Sequence, residues 1–235
     1  MPAKQGKEDL HLKKGDLIWF STLVIWVGIL VIPITREIFF SFTSLHPYLG
    51  GFIKFSILAT MGDLLGTRVL KGNYVIPKGL LYRGAVWGII GMMITLVFKV
   101  FMGGVAAAQS DGFLPFYESN LALAFFGSTI MNLTFGPMMM VFHRFTDLYI
   151  DTKYEMASKV TISSLVDKVD WHSMVEFSWI KTCTLFWIPA HTIVFLLPGE
   201  YRVLVSAFLS IALGLLLAIA NKNKSSIQEA AKVVD

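Results

Sequence analysis

The stretch "GAVWGIIGMMITLVFKVFMGGV", Gly84 to Val105, carries a single charge, Lys99, among residues that are otherwise apolar or small. A helix of about 20 residues crosses the hydrocarbon core of a bilayer, so a run of this length and composition reads as a membrane-spanning helix. Comparable runs occupy 17–34, 49–70, 121–142, 179–197 and 203–220, which brings the candidate spans to six. The period-two alternation of a membrane β-barrel is missing, which leaves the helix as the way for the backbone to satisfy itself in lipid.

The composition agrees. Of 235 residues, 55% are hydrophobic and only 15% charged, well below the charged share of ordinary soluble domains. The expected fold is an all-α polytopic transmembrane bundle. Residues 1–16 form a polar N-terminal tail, 17–220 the membrane domain and 221–235 a polar C-terminal tail. "VIPITREIFF" (Val31–Phe40) offers no small-residue cleavage site, so the first span is expected to be an anchor rather than a cleaved signal.

An even number of spans puts both termini on one side. Lys4, Lys7, Lys13 and Lys14, then Arg68, Lys71, Lys78 and Arg83, then Arg144, Lys153, Lys159 and Lys168, and finally Lys222, Lys224 and Lys232 fall on that side; Arg36 and Arg202 fall on the other. This asymmetry predicts cytoplasmic termini. It also accounts for the net charge of +4 without nucleic acid, because the basic residues are spread between spans rather than gathered on one face. The tail mixes Lys with Glu and Asp and lacks Arg, which argues against a mitochondrial transit peptide; a bacterial plasma membrane is the expected location and an organellar membrane the alternative. The lone Cys183 reads as a small buried hydrophobe.

The loop from His143 to Ser178 is long. Val160, Ile162, Leu165, Val166 and Val169 recur there at helical spacing, with Trp171 and Phe177 nearby, which predicts an amphipathic interfacial helix.

Several residues break the apolar pattern. In "ILATMGDLLGTRVLKGNY" (Ile57–Tyr74), Gly62 and Gly66 share one helix face, and Asp63 stands beside it. Gly84, Gly88 and Gly91 make a second small-residue face in the next span. Such faces let helices approach closely. A carboxylate within a span needs a cation or a wet cavity, so Asp63 is a functional candidate, with Arg83 as a potential partner. Downstream, "TFGPMMMVFHRFTDLYID" sets a Gly-Pro break before His143, Asp147 and Asp151, which share a face at i, i+4 and i+8.

In "FWIPAHTIVFLLPGEYR" (Phe186–Arg202), Pro198 and Gly199 mark the turn of a helical hairpin, with Glu200 and Arg202 at the outer interface. Pro189 lies inside the span, two residues before His191. A kink there is tolerated where a neighbouring helix, a polar side chain or water takes up the freed carbonyl. Phosphate-binding, dinucleotide-binding, zincin, nucleophile-elbow and Cys-x-x-Cys signatures are all missing, so neither catalytic nor metal residues nor a cofactor is expected.

"MGDLLGTRVLKG" (Met61–Gly72) resembles the first motif of the Mpv-seventeen and peroxisomal-membrane-protein family. Trp187, His191, Phe195, Pro198 and Arg202 resemble its C-terminal signature of Trp-Pro, Gln, Asn-Phe, Pro and Arg; Trp171 matches the tryptophan opening that region, and Arg83, Gly88 and Gly91 its Arg, Gly and Gly-Pro segment. Here Pro189 is displaced from the Trp-Pro position, His191 stands in place of Gln, Val194 in place of Asn, and Met92 in place of the second-motif Pro. The spacing from Phe195 to Pro198 is also one residue short, and the first span has no counterpart in that family's core.

The resemblance implies a small membrane protein associated with pore activity for small solutes. The expected function is therefore a channel or transporter-like pore with Asp63, Arg83, Pro189 and His191 along its path. The alternative is a non-pore structural membrane protein that binds lipid or a protein partner. Membrane lipid is the expected partner, with a small solute or ion and a second copy of the chain as further candidates. A membrane-embedded enzyme would have to rest on His143, Asp147 and Asp151.

Overall fold

The computed structural model of the chain describes residues 13–156 and 160–234. Positions 1–12 of the expected N-terminal tail, and Lys159, lie outside the described residues. All regular structure among the described residues is helical. Among the described residues six helices are long and apolar enough to cross a membrane: Lys14–Val31, Pro47–Lys71, Leu80–Ser110, Asn120–Tyr154, Trp171–Leu196 and Gly199–Leu216. The chain is an all-α membrane protein of the helical-bundle type.

Two compact units divide between Ser41 and Phe42. The first contains α1 (Lys14–Val31) and the start of α2 (Pro33–Leu45). The hydropathy pattern carries the first span through Ile34, but the helix ends at Val31. Pro33 pushes the preceding residue out of the helical region, and Ile32 is extended at φ −75°, ψ 118°. Pro33 then opens α2, where a missing amide costs nothing. Thr35 Oγ1 caps the break by donating to the carbonyls of Ile29 and Ile32 at 3.0 Å. Trp26 is buried with its ring edge-on to Phe39.

The second unit contains α3 (Pro47–Lys71), α4 (Leu80–Ser110), α5 (Asn120–Met156), α6 (Ile162–Lys168), α7 (Trp171–Ser173), a π-helix (Met174–Trp187), α8 (Ile188–Leu196) and α9 (Gly199–Val234). Their packing closes on itself: α3 lies on α4, α4 on α5, α5 on the π-helix and α8, α8 on α9, and α9 on α3. Leu58, Ile90, Val194, Leu204 and Ala207 of these helices are almost fully buried.

Glycine sets the closest approaches. A Cβ on Gly62 would stand 2.8 Å from the Ser210 carbonyl oxygen of α9, and one on Gly214 equally close to the Gly62 carbonyl. On the other side of α3, Gly51 faces Gly91 of α4 backbone to backbone. Gly88 meets Phe52 and Ser56, while Gly66 and Gly84 have more room, with nearest atoms 3.7 and 3.6 Å away.

Two segments read as loop or break are helical instead. The Gly136–Pro137 pair does not end α5, which runs on to Met156 and takes up the first third of the long loop. Proline's fixed φ suits a helix, and the lost amide is tolerable where other groups can take over. The amphipathic helix shortens to α6, and its apolar residues divide: Leu165 and Val169 form a buried cluster with Leu148 and Met174, flanked by Met140, Phe145, Val160 and Trp179, while Ile162 and Val166 stay exposed. Trp171 donates its indole N–H to the Val166 carbonyl at 3.1 Å and lies edge-on to Phe145 and Trp179.

The fifth span starts earlier than its apolar run. Asp170 caps it, accepting from the Ser173 hydroxyl at 2.6 Å and amide at 3.1 Å. Those bonds hold the Asp170 carboxyl below the usual carboxylate range. The wide π-turns that follow are closed by bonds such as Ile188 N–H to the Cys183 carbonyl.

Candidate functional site

Two polar clusters lie along α5 at different levels, one facing α3 and α4 and the other facing the π-helix and α8. The first is a cleft where α3, α4 and α5 meet. On α4, Arg83 and Trp87 are one turn apart and share a face; on α5, His143, Asp147 and Asp151 recur on one face. Arg83 Nη1 donates to Asp147 Oδ1 at 2.6 Å, and Nη2 donates to Asp151 Oδ1. Trp87 Nε1 donates to Asp63 Oδ2 on α3 at 2.8 Å. The Trp87 indole also packs on the His143 ring, centroids 4.2 Å apart, and His143 Nε2 is 3.7 Å from Asp147 Oδ2.

The cleft has a volume of about 240 Å³ and is lined by Thr60, Asp63, Leu64, Thr67, Pro77, Leu80, Arg83 and Asp147. Arg83 is well covered, at 14% side-chain exposure, whereas Asp151 reaches 46%. Asp63 is exposed. The sequence suggested Asp63 as the partner of Arg83; the structure gives Arg83 two other carboxylates and gives Asp63 an indole N–H. The lining holds two carboxylates, Asp63 and Asp147, against one guanidinium, which leaves the cleft acidic; Asp151 pairs with Arg83 beside it. The Thr60 hydroxyl and Arg83 Nε are buried there without a partner.

The second cluster surrounds the break at Pro189. His191 Nδ1 is 3.2 Å from Asn132 Oδ1. Asn132 Nδ2 donates to the Ser128 carbonyl at 2.8 Å and approaches the Trp187 carbonyl at 3.5 Å. The Ser128 hydroxyl donates to the Ile188 carbonyl at 2.8 Å, and Thr192 Oγ1 donates to the same carbonyl at 2.7 Å. The Trp187 and Ile188 carbonyls, just before Pro189, thus face side chains of α5. The His191 ring stacks on Trp187 and Phe195, and Phe98 of α4 meets it edge-on.

The candidates therefore separate. Asp63 and Arg83 share the cleft; Pro189 and His191 belong to the other cluster. Trp87 to Phe98 on α4, or His143 to Asn132 on α5, measures about 16 Å at 1.5 Å per residue, and that is the distance between the two levels. Trp187 and Phe195 frame His191, Pro198 accepts from the Tyr201 amide in the hairpin turn, and Arg202 Nε donates to the Leu197 carbonyl at 2.9 Å, closing that turn.

Sequence reasoning missed Trp87, Ser128 and Asn132. Asn132 was findable, because an amide inside an apolar run poses the same problem as Asp63. Lys54, also in a span, is 1% exposed. Among the described residues no group of three His, Cys, Asp or Glu side chains is arranged to hold a metal; Asp147 and Asp151 are both engaged by Arg83.

No family model, curated protein or solved structure matches the chain.

Proposed function

We propose that the chain is a channel or transporter-like membrane protein for a small solute or ion, with a path that enters at the cleft between α3, α4 and α5. The observation that carries this reading is the cleft, an acidic hollow of about 240 Å³ opening among three membrane helices. Ionisable groups in membrane helices are expensive and gather where solutes or ions pass. Asp63 and Arg83 would set the field at the mouth. The Asn132–His191 cluster, where α5 meets α8, would be a second polar station along α5, with Pro189 as the kink beside it. Membership of the Mpv-seventeen family, cytoplasmic termini and a bacterial plasma membrane, with an organellar membrane as the alternative, belong to the same proposal.

Solute efflux and single-channel conductance in liposomes, compared between the wild type and Asp63→Asn, test it. Altered conductance or selectivity at equal folded protein supports the path. Silence of both proteins across voltage and pH counts against it.

A non-pore structural role draws on the Arg83 fork, which ties α4 to α5 by two carboxylates. If that role is the whole purpose of the cluster, Arg83 variants lose stability in proportion to any loss of flux.

A further inference from the structure

The connection between α4 and α5, residues 111–119, reads "DGFLPFYES" and exposes its aromatic rings: Phe113 is 83% exposed, Phe116 71% and Tyr117 63%. Such exposure normally accompanies a slack loop, yet this one is tied down. Gln109, itself buried, donates its side-chain amide to the carbonyls of Pro115 at 3.0 Å and Phe116 at 3.1 Å. The amides of Phe113 and Leu114 both donate to the Ala108 carbonyl, and Ser119 N–H donates to the Phe116 carbonyl. Phe116 and Glu118 adopt left-handed backbone, φ 61° and 71°. Bulky side chains avoid that region, where glycine or asparagine would sit without strain. Strain spent on holding rings outward calls for something outside to receive them.

We propose that this loop is a rigid aromatic foot seated in the headgroup and glycerol layer of the bilayer, among zwitterionic lipids. Depth supports it. From the ion-paired Arg83 to Ser110, α4 rises about 40 Å, against a hydrocarbon thickness of about 30 Å. The loop folds back onto Ala108, which sets it in the interfacial layer at that end. It also continues the surface that faces lipid below: Leu96 and Val100 on α4 and Leu121 and Phe125 on α5 are exposed and lead up to it.

Chemistry narrows the lipid. Asp111 and Glu118 are the charged residues of the loop, and no Lys or Arg occurs between Lys99 and Arg144. Attraction to anionic headgroups cannot seat it. Aromatic rings favour the interface by their own amphipathic character.

The test uses the full chain with Cys183→Ala in phosphatidylcholine vesicles, spin-labelled in turn at Phe113→Cys, at Leu96→Cys on the exposed face of α4 and at Lys71→Cys at the end of α3. Collisions with dissolved oxygen and with a water-soluble nickel chelate report depth. The label at 113 should meet the chelate roughly threefold less than the label at 71, while meeting oxygen more, at a depth shallower than 96. Chelate access equal to that at 71 would put the loop in water and overturn the proposal. Screening from both reagents would put protein there, a second copy for instance, and overturn it equally. Tyr117→Cys serves if Phe113→Cys does not fold. Adding Gln109→Ala should sharpen the spectrum at 113 and shift its depth; an unchanged line shape would refute the claim that the foot is held rigid.

Discussion

The Ser128 hydroxyl on α5 donates to the carbonyl of Ile188, the residue before Pro189, at 2.8 Å. The carbonyl left without an amide by Pro189 lies a turn earlier in the chain; the Ser128 bond instead ties α5 to the carbonyl at the start of α8, a hydrogen bond between two helices across the break. Ser128→Ala should destabilise the protein by about 0.5–1.5 kcal/mol, the range of a single interhelical hydrogen bond in a membrane. Asn132→Ala should cost about 1–3 kcal/mol, because it also strips His191 of its Nδ1 partner. Reversible unfolding in mixed micelles measures both, and an Asn132 effect smaller than that of Ser128 would contradict this ordering.

Arg83 offers a fork to two carboxylates of unequal exposure, Asp147 at 21% and Asp151 at 46%. Exposed pairs contribute little, so Asp151→Asn should cost less than about 1 kcal/mol. Asp147→Asn should cost more. Arg83→Lys should resemble the loss of one arm, since an ammonium cannot bridge both positions as the planar fork does. The same unfolding assay ranks the three variants; equal losses for Asp147→Asn and Asp151→Asn would show that burial does not govern this bracket.

How far the fold could be read in advance follows from what the bilayer demands. Hydrocarbon enforces long apolar runs, so the six membrane helices stand out by composition. Their ends do not. Hydropathy is blind to the backbone restriction that Pro33 places on Ile32, and it scores the polar residues after Phe142 as loop although α5 continues through them. The π-turns from Met174 to Trp187 leave no compositional trace, because widening a helix changes hydrogen-bond partners rather than residue types. Asp63 and His191 announce themselves as ionisable groups in apolar segments, and Arg83 as a cation at the edge of one. Their partners depend on which helix faces meet, and that is how Arg83 came to be matched with Asp63 rather than with Asp147 and Asp151.

Gly62 and Gly66 are alike in sequence but not in their surroundings. A Cβ on Gly62 would press to 2.8 Å from a backbone carbonyl of α9, whereas one on Gly66 would sit at 3.7 Å. Gly62→Ala should therefore force α3 and α9 apart and cost about 1–3 kcal/mol. Gly66→Ala should be neutral or stabilising, since it removes the glycine penalty within a helix. Thermal stability followed by size-exclusion in detergent separates them, and matching melting temperatures would mean that the approach of α3 and α9 at Gly62 is looser than its geometry.

Trp87 connects the field at the cleft to its packing, donating to Asp63 while its ring covers His143. Trp87→Phe keeps the ring contact and removes the donor. If Asp63 lies on a conduction path, the variant should alter selectivity or flux in the same direction as Asp63→Asn, with stability changed by no more than about 1 kcal/mol. A shared direction would follow from their common act, which is to change the field or hydrogen bonding at one carboxylate while the helices stay in place. Unchanged flux per folded protein in both variants would take Asp63 off the path. The acidic cleft would then be left to the role that Arg83 performs with Asp147 and Asp151, holding α4 against α5.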